Sequence, residues 1–377
     1  MRIGLILMIG LLHSAADLGA RELAPDEQVM FVPDTARMLN DGAIEARIAA
    51  WVYEIERQPG LNALFARKLG VDLDSVTVAE QDRFRSRTQL FRVDSESLKN
   101  ISIVFRNACA PAVGPDECPR VALPRTNFAG RTSTRVRLHV DPTARERRWL
   151  RFAVAMPNGD GRQFDGRALM VPPEGLSVIS DIDDTIKVSQ VRDRHELLLN
   201  TFAREFVAVP GIADHYQELA KARGTRFHYV SSGPIQLFPP LDRFLREAGF
   251  PSGSVHLRES TAYSNVIPAP EASHAHKLAA ISTLLADFPH RRFLLIGDSG
   301  EADPEIYGEI ARGHPEQVVG IRIRDVSGDR ADSARYAAAF GGLPGVLWQV
   351  FGEADAIAAV PQAAGTAQLQ ELAPATR

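Results

Sequence analysis

The chain has 377 residues, 45% of them hydrophobic and 24% charged, with a net charge of −4. That length suits two globular domains better than one, and the composition is that of ordinary globular protein. The near-balanced charge, with no basic block and no interleaved aromatics, gives no basis for nucleic-acid binding.

Taken in order, the chain opens with Arg2, an apolar run over 3–12, and small residues at Ser14, Ala15 and Ala16. The run is too short to span a bilayer and is followed by a cleavage-type site, so residues 1–20 are expected to be a secretory signal peptide. That implies an exported protein, bacterial periplasmic or secreted. Residues 21–173 are expected to form a β-rich, sandwich-like domain, with strands over 29–32, 44–53, 101–105, 131–140 and 149–156 and helices over 63–69 and 79–91. Thr132, Val136, Leu138 and Val140 carry the alternation of a one-sided sheet. No His, Cys or acidic cluster there has metal-ligand spacing. The two cysteines, Cys109 and Cys118, share one loop rich in Pro and Gly. In an oxidising compartment a structural disulfide is the natural reading, ahead of a catalytic thiol.

Pro172, Pro173, Glu174 and Gly175 mark a domain junction, since paired prolines stop a strand. From 174 to 352 strands and helices alternate, which predicts a parallel sheet covered on both faces. Strands fit 176–180, 227–230, 255–257, 293–296 and 318–323; helices fit 196–206, 211–222, 241–248 and 275–287. The segments between strands leave no material for a large cap. Leu237, Phe238, Leu241, Phe244 and Leu245 either pack on the sheet or touch lipid, and packing is the commoner role. The tail, 353–377, becomes small and polar and reads as disordered.

The chemistry starts at 176–180, an apolar strand that runs into Asp181, Ile182, Asp183, Asp184 and Thr185. Open α/β sheets bind ligands at such strand ends. Two carboxylates there repel each other unless a cation intervenes, and Mg²⁺, which takes oxygen ligands and substrate phosphate, suits them. A solvated acidic turn would explain this motif in isolation. Three more strand-end signals follow it, however: Ser231 and Ser232, then Lys277 in a helix, then Asp298 with Asp303 behind it.

These four signals resemble the haloacid dehalogenase-like (HAD) phosphohydrolases. Ser180-Asp-Ile-Asp-Asp-Thr-Ile186, His228-Tyr-Val-Ser-Ser-Gly-Pro234, His276-Lys277 and Gly297-Asp-Ser-Gly-Glu-Ala-Asp-Pro-Glu-Ile-Tyr307 are similar to one branch, the catalytic domain of the actin-patch-protein type of phosphatidate phosphatase. The resemblance covers about 175–351 and implies a HAD-like Rossmannoid sheet, a Mg²⁺-dependent phosphatase, and a β-rich domain ahead of it. In that branch's characterised member, phosphatidic acid becomes diacylglycerol. Gly233-Pro234-Ile235 departs from the expected Ser-Pro-aromatic sequence.

Phosphoryl transfer through an aspartyl-phosphate assigns Asp181 as nucleophile and Asp183 as acid/base, their side chains on one side of an extended strand. Thr185, Ser231 and Ser232 would bind the substrate, and Lys277 would neutralise the phosphoryl charge beside Asp181. Asp181, Asp183, Asp298 and Asp303 would hold Mg²⁺, although Asp298 and Asp303 also read as helix caps. His274 and His276 fit surface or capping roles. The expected partner is a phosphorylated substrate, either a membrane phospholipid met by peripheral contact or a soluble phosphoester or phosphoprotein. A binding module that kept the fold without turnover is a third reading, opposed by the intact acids and lysine.

Overall fold

The computed structural model describes residues 22–55, 61–109, 118–140, 147–222, 224–260 and 266–357. The signal peptide expected over 1–20 and nearly all of the tail lie outside the described residues. No helix among the described residues is long and apolar enough to cross a membrane.

Nine strands form one hydrogen-bonded sheet: β1 (Glu27–Phe31), β2 (Asp34–Met38), β3 (Ile44–Glu54), β4 (Asp94–Ser95), β5 (Ser102–Val104), β6 (Arg120–Ala122), β7 (Arg131–Leu138), β8 (Trp149–Val154) and β9 (Asp165–Met170). Their order is β1-β3-β2-β9-β8-β5-β6, with β4 and β7 also paired to β3. The long strand β3 explains this continuity. Its Ile44, Ala46, Ile48, Ala50 and Val52 enter a core inside the sheet, with Phe105, Leu138 and Phe152. Trp51 points the other way, as the two-residue period of a strand requires. There it meets α1 (Leu61–Leu69) and α2 (Val78–Thr88) through Phe65 and Phe84. Helix α2 starts where Thr77 and Glu80 bond reciprocally, a capping box. The β-rich expectation is met as a continuous sheet, and β2, β6 and β9 had no strand signal because charged residues and glycine break their alternation. Cys109 and Cys118 are disulfide-bonded, with Cα atoms 5.1 Å apart.

The second sheet has six parallel strands: β10 (Leu176–Ser180), β11 (Arg226–Pro234), β12 (Ser254–Arg258), β13 (Arg292–Asp298), β14 (Val318–Arg324) and β15 (Trp348–Phe351). The order is β12-β11-β10-β13-β14-β15. Apolar runs fit strands buried on both faces: Val178 of β10 packs with Phe227 and Ile296, while its neighbour Ile179 packs with Val230 and Leu295. Between these strands lie α3 (Arg194–Phe202), α4 (Ile212–Lys221), α5 (Phe238–Glu247), α6 (Pro270–Asp287), α7 (Asp303–Gly313) and α8 (Ala334–Ala339). Helix α5 begins earlier than its apolar pattern suggests, because prolines are tolerated in a first turn. Its Phe238, Leu241, Phe244 and Leu245, with Leu237, are buried in the core, which settles their choice between packing and lipid contact in favour of packing.

The chain builds β11 and β12 to one side of β10, then returns to place β13 on the other side. Such a reversal opens a crevice at the strand ends. The same apolar cluster joins Trp51 and Phe84 of the N-terminal region to Phe202 of α3, so the two sheets share a core.

Candidate active site

The crevice at the tips of β11, β10 and β13 collects nearly all the residues singled out from the sequence. Ser180 is in register with Ile296 on one side and Tyr229 on the other, so Asp181, Asp298 and Ser231 emerge side by side. The backbone N–H of Asp181 donates to the Ile296 carbonyl at 2.9 Å. Its carboxylate is buried, and no hydrogen bond reaches either oxygen. Oδ1 meets only the charge of Lys277, whose Nζ lies 2.8 Å away.

Beyond Asp181 the chain turns sharply. Asp184 takes a φ of 55°, a left-handed conformation that Asp tolerates better than most side chains. Its carboxylate accepts the N–H groups of Ser189, Gln190 and Val191 at 2.7, 2.8 and 2.7 Å. The third aspartate of the motif therefore builds the loop. This loop folds Lys187 and Ser189 back onto Asp183. Lys187 Nζ lies 2.8 Å from Asp183 Oδ1, Ser189 Oγ donates to Oδ1 at 2.7 Å, and Ser231 Oγ donates to Oδ2 at 3.1 Å. Burial pushes the Asp183 carboxyl up, but the Lys187 charge and these hydrogen bonds outweigh it and hold it below the usual carboxylate range.

Asp298 ends β13. Its Oδ1 accepts from Gly300 N–H at 2.6 Å, and Thr185 Oγ1 lies 3.4 Å from its Oδ2. Asp303 starts α7 and turns back, accepting the Asp298 N–H at 3.2 Å and the Lys277 ammonium at 2.6 Å. Gly297 permits this approach, because a Cβ there would sit 2.3 Å from Asp303 Oδ2. Lys277 is fully buried on α6, not on a solvated face, and also meets Glu301 at 2.9 Å. Burial would lower its pKa, yet Asp181, Asp303 and Glu301 raise it well above the ordinary value.

Burial first, then mutual repulsion, pushes Asp181 and Asp298 far above the usual carboxylate range, with Asp303 also raised. Lys277 opposes the rise at all three. Four carboxylates thus share one ammonium, a site short of positive charge. Ligand oxygens of Asp181, Glu301 and Asp303 lie within 4.8 Å of one another and could hold a divalent cation. The all-oxygen donor set and Oδ2 of Asp181, which no donor meets, fit a hard cation.

Asp183 and Asp298, expected as metal ligands, stand outside that tightest group; Asp183 is turned toward Lys187. Glu301 is the member that the sequence reading passed over, although it sits inside the motif around Asp298. Of the two serine candidates, Ser231 faces Asp183 and Ser232 pairs with Ser273 Oγ at 2.6 Å. His274 lies 3.9 Å from Glu309, away from the acids, and His276 Nε2 is buried without a hydrogen-bond partner.

Residues 176–325 match the family model described as phosphatidate phosphatase APP1, catalytic domain. The chain carries an APP1-type catalytic domain. Phosphatidate phosphatase APP1 of Saccharomyces cerevisiae is 37% identical over 167 residues, 43% of this chain and 28% of that protein. An uncharacterized protein of Schizosaccharomyces pombe is 35% identical over 159 residues, 41% of this chain and 26% of that protein. The chain spans about a quarter of the length of these relatives. A family two carbohydrate esterase from Cellvibrio japonicus aligns with 84% of this chain and 92% of that one, at 11% identity and a TM-score of 0.20, too weak a likeness to carry an argument. The APP1-type match contains every acid and lysine of the site.

Proposed function

We propose that the APP1-type domain is a Mg²⁺-dependent phosphatase on a HAD-like scaffold, acting through an aspartyl-phosphate on Asp181, with phosphatidate to diacylglycerol as its reaction. The observation that carries this reading is the pairing of two unlike carboxylates at one strand tip. Asp181 has bond-free oxygens beside Lys277, whereas Asp183 is held in place by three donors. A carboxylate oxygen that no donor ties down is free to attack phosphorus, and a carboxylate fixed by donors keeps one direction for proton transfer.

In the first step an Asp181 oxygen forms a bond to phosphorus, and the ester bond to the leaving alcohol breaks. The alcohol oxygen takes a proton from Asp183, which a phosphomonoester monoanion brings into the site. In the second step Asp183 takes a proton from water, the water oxygen attacks phosphorus, the bond between phosphorus and Asp181 breaks, and inorganic phosphate leaves with the proton that Asp183 held. Lys277 offsets charge on the nucleophile side throughout, and the backbone N–H groups beside Ser231 bind phosphoryl oxygens, joined by the Ser231 hydroxyl when it turns from Asp183 to the substrate. Asp181, Asp298, Glu301 and Asp303 would hold Mg²⁺, which supplies charge neutralisation of the phosphoryl group.

A slot of about 70 Å³ opens beside Asp183 and supports an apolar leaving group. Val191, Leu197, Phe202, Leu237, Val266 and Ile267 are among the residues that line it. Since Asp183 serves the leaving alcohol, this slot faces the part of the substrate that a lipid would make apolar. The Cys109–Cys118 disulfide supports an exported protein working in an oxidising compartment.

The test compares phosphatidate in mixed micelles with glycerol 3-phosphate, each with Mg²⁺ and with chelator. Phosphatidate is expected to be preferred by about tenfold or more in kcat/KM, the effect of a few apolar contacts, and chelator to abolish turnover. A preference for the soluble ester would replace the lipid assignment with a soluble phosphoester. Full turnover in chelator would remove the metal-dependent mechanism.

A further inference from the structure

The nucleophile and the acid of the site each have their own buried lysine. Lys277 serves Asp181, and Lys187 serves Asp183. We propose that Lys187 is a positioning residue, fixing the Asp183 carboxylate so that one oxygen is held toward the leaving-group slot. This rests on the reading of Asp183 as the acid for the leaving alcohol.

The Lys187 side chain is 3% exposed, and its ammonium is enclosed by one carboxylate, one hydroxyl and one ring. Nζ lies 2.8 Å from Asp183 Oδ1 and donates to Ser189 Oγ, which in turn donates to the same Oδ1 at 2.7 Å. Both ties fall on Oδ1. Oδ2 is left with only the Ser231 hydroxyl, at 3.1 Å, so it is the oxygen available to the substrate. Asp183, Lys187 and Phe206 all line the slot.

The lysine is itself anchored from two directions. Its backbone N–H donates to the Ile182 carbonyl at 3.0 Å and its carbonyl accepts from Asp184 N–H at 2.7 Å, while the flanking Val188 N–H and Ile186 carbonyl bond Val207 and Val209 at 2.8 and 2.9 Å. Its ammonium lies 5.0 Å from the Phe206 ring centroid, and the Arg87 guanidinium of helix α2 packs on the same ring at 3.7 Å. Arg87 is held in turn by the Thr201 and Arg204 carbonyls at 3.0 and 2.7 Å. A buried lysine is costly unless its charge is answered. Here a chain of contacts from the N-terminal region holds the charge against Asp183.

Leaving-group dependence separates this role from simple support of the fold. An alkyl phosphate needs its leaving oxygen protonated, whereas p-nitrophenyl phosphate leaves as a stable anion. Lys187→Met is expected to lower kcat on hexyl phosphate about 100-fold, within the usual range of general-acid assistance, and on p-nitrophenyl phosphate less than about 5-fold. Ser189→Ala, which keeps the ammonium, is expected to show the same split at smaller size and carries the test if Lys187→Met does not fold. Equal losses on both esters, or none, would overturn the proposal. Wild-type protein inert to phosphatidate as well as to both esters, or an active Asp181→Asn variant, would overturn the phosphatase reading and this inference with it.

Discussion

The Lys277 ammonium and the Asp181 carboxylate meet at 2.8 Å, both side chains all but fully buried, and so tie helix α6 to the tip of β10. Asp303 and Glu301 approach the same nitrogen at 2.6 and 2.9 Å. The ammonium is fully committed, while the carboxylates around it still exceed it in charge. That imbalance sets the behaviour of the site.

Asp181→Asn removes one negative charge from the crowd and keeps the side chain's shape. Phosphatase turnover is expected to fall by about 10³-fold or more, as losses of a nucleophile do. Unfolding free energy in urea is expected to stay level or rise by about 1 kcal/mol, since active sites store such repulsion at the expense of stability. A clear loss of stability would show that Asp181 is held mainly for structure.

Glu301 is partly exposed, so Glu301→Gln is expected to leave stability within about 0.5 kcal/mol. Loss of one charged oxygen should raise the Mg²⁺ concentration for half-maximal activity about 10- to 100-fold. A magnesium titration followed by activity reads this directly. An unchanged midpoint would confine Glu301 to its contact with Lys277.

His228 is buried between Ser177 Oγ at 3.1 Å and Ser254 Oγ at 2.7 Å, and burial, aided by His256 and Arg291, holds its pKa well below the ordinary 6.5. The unfolded chain then binds a proton near pH 6.5 that the folded chain refuses. Stability should fall as pH drops below that value, by up to about 1.4 kcal/mol per pH unit for this one group. The raised carboxylates of the site act in the opposite sense, so the informative quantity is a difference. The His228→Gln variant is expected to be less stable at pH 8 and to lose less on acidification from pH 6.5 to 5, as measured by urea unfolding. Parallel pH curves for variant and wild type would contradict the neutral assignment.

The Cys109–Cys118 bridge closes a loop of sequence separation 9 between β5 and β6. Cys109→Ser with Cys118→Ser is expected to cost about 2–3 kcal/mol in urea unfolding, the loop-closure entropy restored to the unfolded chain. Turnover by the folded double variant should be unchanged, because both cysteines lie beside strands of the other sheet. Reduced kcat without a loss of stability would point to a link between that loop and the site.

Much of the site was legible because its signals are local. An apolar run that stops at an acid predicts a strand tip whatever surrounds it, which is how Asp181, Asp183 and Asp298 stand out, and alternating strands and helices predict the parallel sheet. Glu301 and Lys187 were not legible as site residues. Glu301 matters only because α6 delivers an ammonium to it, and Lys187 only because the left-handed turn at Asp184 sends the chain back over Asp183. Lys277 was legible as a candidate, but its full burial among three carboxylates was not. Strands β2, β4, β6, β9 and β15 were missed because they are short or carry no clear alternation of their own, and their neighbours pair them into the sheets.

By itself, the order of residues determined which chemical groups stand at strand ends and how the α/β region alternates, since both depend on side-chain type and the two-residue period of a strand. Only the tertiary structure decided which carboxylates share one ammonium, which serine faces Asp183, and that Trp51 and Phe202 lie in a common core. Those outcomes depend on register between parallel strands and on packing between segments far apart in the chain, and no stretch of sequence carries that information alone.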